Sequence, residues 1–120
     1  MLRVHVEKIG DMAVVECAGR VLRSDAAFRL RNAVTPLLDV RIIVIDLSEV
    51  RGIEGGGLGM LSFLGRWAQG HDIQFKLFNP TKSVRDRLEA ANSMPAFDFA
   101  TLHEMMALLK RADTRYAQAA

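Results

Sequence analysis

Leu2-Arg3-Val4-His5-Val6 alternates apolar and polar positions with period two, the pattern of a half-buried strand. A second strand-like run follows from Met12 to Cys17, and Ile9-Gly10-Asp11 between them supplies a turn, so the two are expected to form a hairpin. Gly19 is expected to close the second strand. Ser24 is the candidate N-cap of a helix from about Asp25 to Leu38, on which Ala27, Leu30, Val34 and Leu37 or Leu38 recur at helical spacing. Arg29, Arg31 and Asp39 fall outside that stripe, and Pro36 should distort the last turn. Ile42-Ile43-Val44-Ile45 is a continuous β-branched run, as expected of a strand covered on both faces and ending at Asp46-Leu47-Ser48. A glycine run then opens a second helix from near Gly57 to about Gln69.

Ile73 to Phe78 reads as the next strand, ending at Asn79-Pro80. Thr81 or Asn79 caps a third helix with Val84, Leu88 and Ala91 inward, which Met94-Pro95 breaks. Phe97-Asp98-Phe99 suggests a short strand. Thr101 and Glu104 form a capping box, each satisfying the other's free backbone amide. The last helix should bury Leu102, Met105 or Met106, and Leu109, with an Ala-rich tail that frays after about Arg115. Two strands followed by alternating helix and strand specify an α/β fold: one domain over residues 1–120, a mixed sheet with an N-terminal hairpin, and about four helices.

Composition narrows the function. Half of the 120 residues are apolar and a quarter are charged, which is globular rather than disordered. Sixteen Lys and Arg against fourteen Asp and Glu leave +2, too little for a nucleic-acid-binding field. The basic pairs Arg29/Arg31, Arg85/Arg87 and Lys110/Arg111 are scattered and have acids nearby, so they read as solvated helix faces. The lone Cys17 excludes an internal disulfide and any Cys-x-x-Cys site, and its apolar neighbours point to a buried, reduced thiol. No run approaches the roughly 20 apolar residues that span a bilayer, and the N-terminus lacks a signal peptide's apolar core. A cytoplasmic protein without membrane insertion is expected.

Catalytic chemistry finds little support. His5, His71 and His103 fall on a strand, a loop and the last helix, with no metal-ligand spacing among them. No Ser or Cys sits in a strained elbow with a histidine to serve it. Asp46 and Glu54 could form a carboxylate pair near the strand end, although Asp46 suits capping of backbone amides. Gly52 and Gly57 have P-loop separation, but Leu58 and Gly59 stand where Lys and Ser/Thr belong. An anion at the helix start is the ligand-binding alternative. The purely structural alternative is that the glycines supply φ > 0 and close helix–strand approach. The second helix carries Leu58, Met60, Leu61, Phe63, Leu64, Trp67 and Ala68, more than one buried face requires. With Leu58, Leu61, Leu64 and Ala68 on the sheet, Met60, Phe63 and Trp67 are left for a partner or dimer surface, unless the C-terminal helix or a dimer mate covers them.

The element order and two local motifs resemble the STAS domain, found in anti-sigma-factor antagonists and at the ends of sulphate transporters. The first motif is Ile45-Asp46-Leu47-Ser48-Glu49-Val50 followed by Glu54-Gly55-Gly56-Gly57-Leu58-Gly59, where the family commonly reads Asp-Leu-Ser-x-Val and then Asp-Ser-Ser-Gly-Leu-Gly. The second is Leu77-Phe78-Asn79-Pro80 with Val84-Arg85 following. The resemblance implies that the second serine of Asp-Ser-Ser-Gly is the phosphoacceptor, and that position here is Gly56, which has no hydroxyl. The family's aspartate is Glu54, and its Gly-Glu-Leu-Asp reads Gly19-Arg20-Val21-Leu22. Other acceptors remain at Ser48, Ser62 and Ser83.

The resemblance therefore implies a non-catalytic interaction module, like an anti-sigma-factor antagonist but not switched at the usual position. Its expected partner surface is Glu54, Gly55, Gly56, Gly57, Leu58 and Gly59, flanked by Met60, Phe63 and Trp67. The implied partners are an anti-sigma factor or serine kinase, or other STAS proteins, with a homodimer as a further arrangement and no cofactor or metal. The alternatives are a STAS subunit of a transporter or lipid-trafficking complex, and a small module sensing an anion or nucleotide.

Overall fold

The computed structural model describes residues 2–119 apart from Asn92, Met94 and Pro95, so the helix break expected at Met94-Pro95 lies outside the described residues. The chain runs β1 (Arg3–Ile9), β2 (Met12–Leu22), α1 (Ser24–Val34), β3 (Ile42–Ile53), α2 (Gly55–Gly70), β4 (Gln74–Phe78), α3 (Lys82–Ala90), β5 (Phe99–Ala100) and α4 (Leu102–Ala119). The strands lie in one sheet in the order β1-β2-β3-β4-β5. The β1/β2 pair is antiparallel and the other three pairs are parallel, which is the expected mixed sheet with an N-terminal hairpin. Gly10 has φ +59°, a left-handed conformation that glycine adopts without steric cost, and it lets a two-residue loop join Ile9 to Met12.

Two apolar layers enclose the sheet. One face of β2 and β3 presents Ala13, Val15, Cys17, Ile43, Ile45 and Leu47 to α1, α2 and α3, which bring Leu30, Val34, Leu61, Leu64, Ala68, Val84 and Leu88. The opposite face presents Met12, Val14, Ile42 and Val44 to α4, whose Met105 and Ala112 are buried. This two-sided coverage is why the strand cores read as unbroken aliphatic runs.

The strands outrun their sequence signals. Gly19 does not end β2, because Gly19 pairs with Val50, and the ladder continues to Leu22 opposite Ile53. β3 likewise passes through Asp46-Leu47-Ser48 rather than stopping there. Between the pairs Glu16↔Asp46 and Ala18↔Glu49 the register shifts, with one residue more on β3 than on β2. At this bulge Asp46 Oδ1 accepts hydrogen bonds from the Ser48 amide at 2.9 Å and from the Ser48 hydroxyl. The local bond that would have made a turn is absorbed into a strand irregularity.

Helix boundaries follow backbone supply. α1 starts at Ser24 itself, with Arg23 as N-cap and no side-chain cap, and it stops at Val34 because Pro36 has no amide to continue it. Leu37 is buried and Leu38 exposed, which settles that choice. Thr81 caps α3, its Oγ1 accepting from Val84 N at 3.4 Å. The capping box forms as expected: Thr101 N donates to Glu104 Oε1 at 3.1 Å, and Glu104 N donates to Thr101 Oγ1 at 3.0 Å. On α4, Leu102 is 68% exposed rather than buried, Met106 is exposed too, and Leu109 is half-buried. The helix meets the sheet through Met105 and Ala112, with Leu108 and Leu109 packed partly against the same cluster, whereas Leu102, at the first position of the helix, stands outside it.

Candidate partner-binding site

The second half of the β2/β3 ladder delivers the two helix starts to one place. Leu22 ends β2 two residues before α1, and Ile53 ends β3 two residues before α2. The Glu54 amide donates to the Leu22 carbonyl at 3.0 Å, tying the two exits together. Glu54 is the extended N-cap of α2, and its side chain makes no capping bond.

The glycines divide into two pairs. A Cβ on Gly57 would lie 2.2 Å from the Leu22 carbonyl oxygen, and one on Gly56 would lie 2.6 Å from Ser24 Cβ and 2.7 Å from Ser24 N. Both would stand inside van der Waals contact with neighbouring atoms. Gly55 and Gly59 have nothing within 4 Å of the same position. Among the described glycines only Gly10 has positive φ, so backbone conformation does not explain the run. Close approach does, at Gly56 and Gly57 alone. Glu54, Gly55, Gly56 and Gly59 are exposed, Leu58 is half-buried, and Gly57 is buried.

The contact at Gly56 also fixes which side of α2 faces α1. Met60, Phe63 and Trp67 follow it at +4, +7 and +11, on the same side of the helix. The neighbour beside them is therefore α1, and α4 lies on the opposite face of the sheet, so the C-terminal helix does not cover them. Met60 and Trp67 pack partly on the main core, whereas Phe63 remains 39% exposed. Trp67 also meets His71, with ring centroids 4.8 Å apart. His71 Nδ1 lies 2.8 Å from the Trp67 carbonyl, which only accepts, so that nitrogen carries the proton.

On α1, Phe28 stands at +4 from Ser24 and is 57% exposed. It does not fall on the Ala27, Leu30 and Val34 stripe, and the sequence assigned it no role. Its being the apolar exception on the outer face was the available signal. Among the described residues the ion pairs are Lys8–Asp39, Arg41–Asp11, Lys76–Asp98, Lys82–Asp86 and Arg85–Glu89, and neither Arg29 nor Arg31 joins one.

The remaining chemical candidates stand apart. Asp46 sits mid-strand at the bulge while Glu54 caps α2, and eight extended residues span roughly 25 Å, so they do not form a carboxylate pair. His5, His71 and His103 lie on β1, at the end of α2 and on α4, and no group of three metal-ligating side chains gathers among the described residues. Burial first, and the Asp46 charge second, push the buried Cys17 thiol up to about 12, which keeps it protonated and unreactive. No helix among the described residues is long and apolar enough to cross a membrane.

The STAS domain profile matches residues 3–105. No curated protein matches the chain. Among solved structures, an anti-sigma factor antagonist from Mycobacterium paratuberculosis is similar at a TM-score of 0.76 and 20% identity, over 92% of this chain and 95% of that one. The anti-sigma factor antagonist SpoIIAA in its unphosphorylated form gives a TM-score of 0.72 at 18% identity, over 90% of this chain and 96% of that one. The murine Solute Carrier 26 family member A9 anion transporter, in its inward-facing state, gives 0.63 at 17% identity, over 95% of this chain but 19% of the transporter. At these identities the structural likeness speaks for the fold, and the profile match over most of the chain speaks for ancestry. The chain belongs to the STAS domain family.

Proposed function

We propose that this chain is a non-catalytic regulatory module that works by protein–protein contact, similar in role to an anti-sigma-factor antagonist. Its contact surface is the start of α2 from Glu54 to Gly59 with the adjoining α1–α2 seam. The observation that carries the reading is Gly56. It occupies the position that family resemblance assigns to the phosphoacceptor, it has no hydroxyl, and Ser24 fills the space a side chain would need. Phosphorylation there would add about −1.5 to −2 charge to a docked surface. This chain cannot acquire that charge at that point, so the surface stays in one state. The partner is an anti-sigma factor or serine kinase, or another STAS protein, met in the cytoplasm.

Intact-mass spectrometry of the protein purified from its native host tests the unswitched state. The unmodified mass is expected under all growth conditions. A stoichiometric phosphate on Ser48, Ser62, Ser83 or elsewhere would overturn it by showing that a different acceptor runs a switch. The likeness to the anion transporter favours a second reading, a STAS subunit held against a membrane complex. Fractionation separates the two, since a transporter subunit would sediment with membranes and be released by detergent.

A further inference from the structure

We infer that the outer rim of the α1–α2 seam is a docking surface for an acidic protein segment with an apolar anchor. Two observations meet there. The first is apolar: Phe28 and Phe63, at 57% and 39% exposure, are the large exposed hydrophobics on these helices. The Ser24–Gly56 contact places them on the flanks of one seam, at +4 from Ser24 and +7 from Gly56. Aromatic side chains standing in water beside an interhelical seam are what a partner's apolar anchor would bury.

The second observation is charge. Residues 23–35 and 54–71, which hold α1, α2 and their caps, carry four arginines (Arg23, Arg29, Arg31 and Arg66) against Asp25 and Glu54. Taken from sixteen cations and fourteen anions in the chain, these leave twelve against twelve everywhere else. The whole surplus of positive charge therefore belongs to the two helices that expose Phe28 and Phe63. The helices use Arg and no Lys, and Arg is the cation best matched to carboxylates, through its planar fork. Arg29 and Arg31 are exposed and form no ion pair among the described residues, so a carboxylate partner would displace no ion pair among those residues. Gly55 and Gly59 extend the same surface without side chains, leaving room for a helix or extended segment to lie close. The complementary shape and charge are those of an amphipathic segment with carboxylates flanking Leu, Phe or Trp.

This inference rests on the reading of the α2 start as a partner surface, and it names the chemistry of the partner. The test is an amide NMR titration of the full chain with two synthetic helical peptides that share one Leu/Phe face and differ in having Glu or Lys on the other. The Glu peptide should shift the amides of Phe28, Arg29, Arg31, Phe63 and Arg66, and added salt should weaken it. The Lys peptide should leave them in place. Arg29→Glu with Arg31→Glu should weaken the Glu peptide about tenfold without changing the far-UV spectrum, and Phe28→Ala should weaken it at constant charge. Equal binding of both peptides, shifts centred on Leu102 and Met106 of α4, or no shift at all would overturn the inference. So would a short DNA duplex moving the same amides more strongly than the Glu peptide. If Glu54 and Gly55 substitutions fail to release a cellular partner while the Glu peptide still binds, the α2-start reading fails and the basic aromatic rim stands.

Discussion

Gly57 and Gly59 lie two residues apart in the same helix, and the same substitution should have opposite effects at the two. At Gly59 nothing lies within 4 Å of an added Cβ, so alanine gains only its helix propensity, about 1 kcal/mol of stabilisation. At Gly57 the added carbon would sit 2.2 Å from the Leu22 carbonyl oxygen, more than an ångström inside normal contact. That oxygen cannot swing aside freely, because it accepts from the Glu54 amide at 3.0 Å at the junction of both helix starts. Overpacking against backbone costs about 1–3 kcal/mol, and weakening the Leu22–Glu54 bond adds about 1 kcal/mol. After the propensity gain is subtracted, Gly57→Ala should lose about 2 kcal/mol. For a domain of this size 1 kcal/mol moves Tm by about 4 °C, so Gly57→Ala should melt about 8 °C lower and Gly59→Ala about 4 °C higher. Thermal unfolding followed by circular dichroism, with urea midpoints as a second probe, reads both. Equal melting temperatures for the two variants would refute the reasoning, as would a Gly57→Ala protein as stable as the parent.

Three further outcomes follow from the same structure. The folded-state thiol of Cys17 is raised from 9.0 to about 12, so its contribution to stability is full below pH 9 and is lost as pH rises from 9 towards 12; a thiol reagent at pH 8 should label it only at the rate of unfolding, and fast labelling of the native protein would count against its burial. Thr101→Ala removes the hydroxyl that accepts from Glu104 N and should cost about 1 kcal/mol. The reciprocal bond from Thr101 N holds the Glu104 carboxyl below its usual 4.5, so that part of the cap is present above pH 4.5 and fades as pH falls through the lowered value; urea midpoints of Thr101→Ala and the parent across pH 3 to 7 check both, and identical profiles would contradict the capping box. Leu61→Ala, in the fully buried core of α2, should cost about 2–5 kcal/mol, whereas Leu102→Ala, at 68% exposure, should stay within about 0.5 kcal/mol; similar urea midpoints for the two would show that α4 covers more than the sheet contact along Met105 and Ala112.

Local chemistry made most of the framework legible. The hairpin, the aliphatic run of β3, the Thr81 cap and the capping box all depend on residues within a few positions of one another, and each forms as its sequence indicates. What sequence missed depends on distant partners. β2 runs through Gly19, and β3 through Asp46 to Ile53, because each strand has the other to pair with, which local turn preference does not register. Leu102 looked inward because it falls on the apolar side of a helical wheel, yet it opens the helix and lies outside the sheet contact that Met105, Leu108, Leu109 and Ala112 make. At the candidate site, the glycine run was visible but its division was not. Only the meeting of β2's end and α1's start with α2 separates Gly56 and Gly57, which are fixed by packing, from Gly55 and Gly59, which are not. The seam between α1 and α2 likewise gives Met60, Phe63 and Trp67 a neighbour and makes Phe28 part of the same surface.

The central claim is that the start of α2 is the partner-binding surface. Gly56 is a poor probe of it, because any side chain there would move α1. Gly55→Asp adds charge at an open position beside Glu54, and Gly70→Asp adds the same charge at an open position at the far end of the same helix. The direct measurement is a tagged pull-down from native lysate with the parent, Gly55→Asp and Gly70→Asp, the bound proteins being quantified by mass spectrometry. A partner retained by the parent and by Gly70→Asp but lost with Gly55→Asp is the predicted result. A partner held equally by all three would place the interface elsewhere and contradict the account.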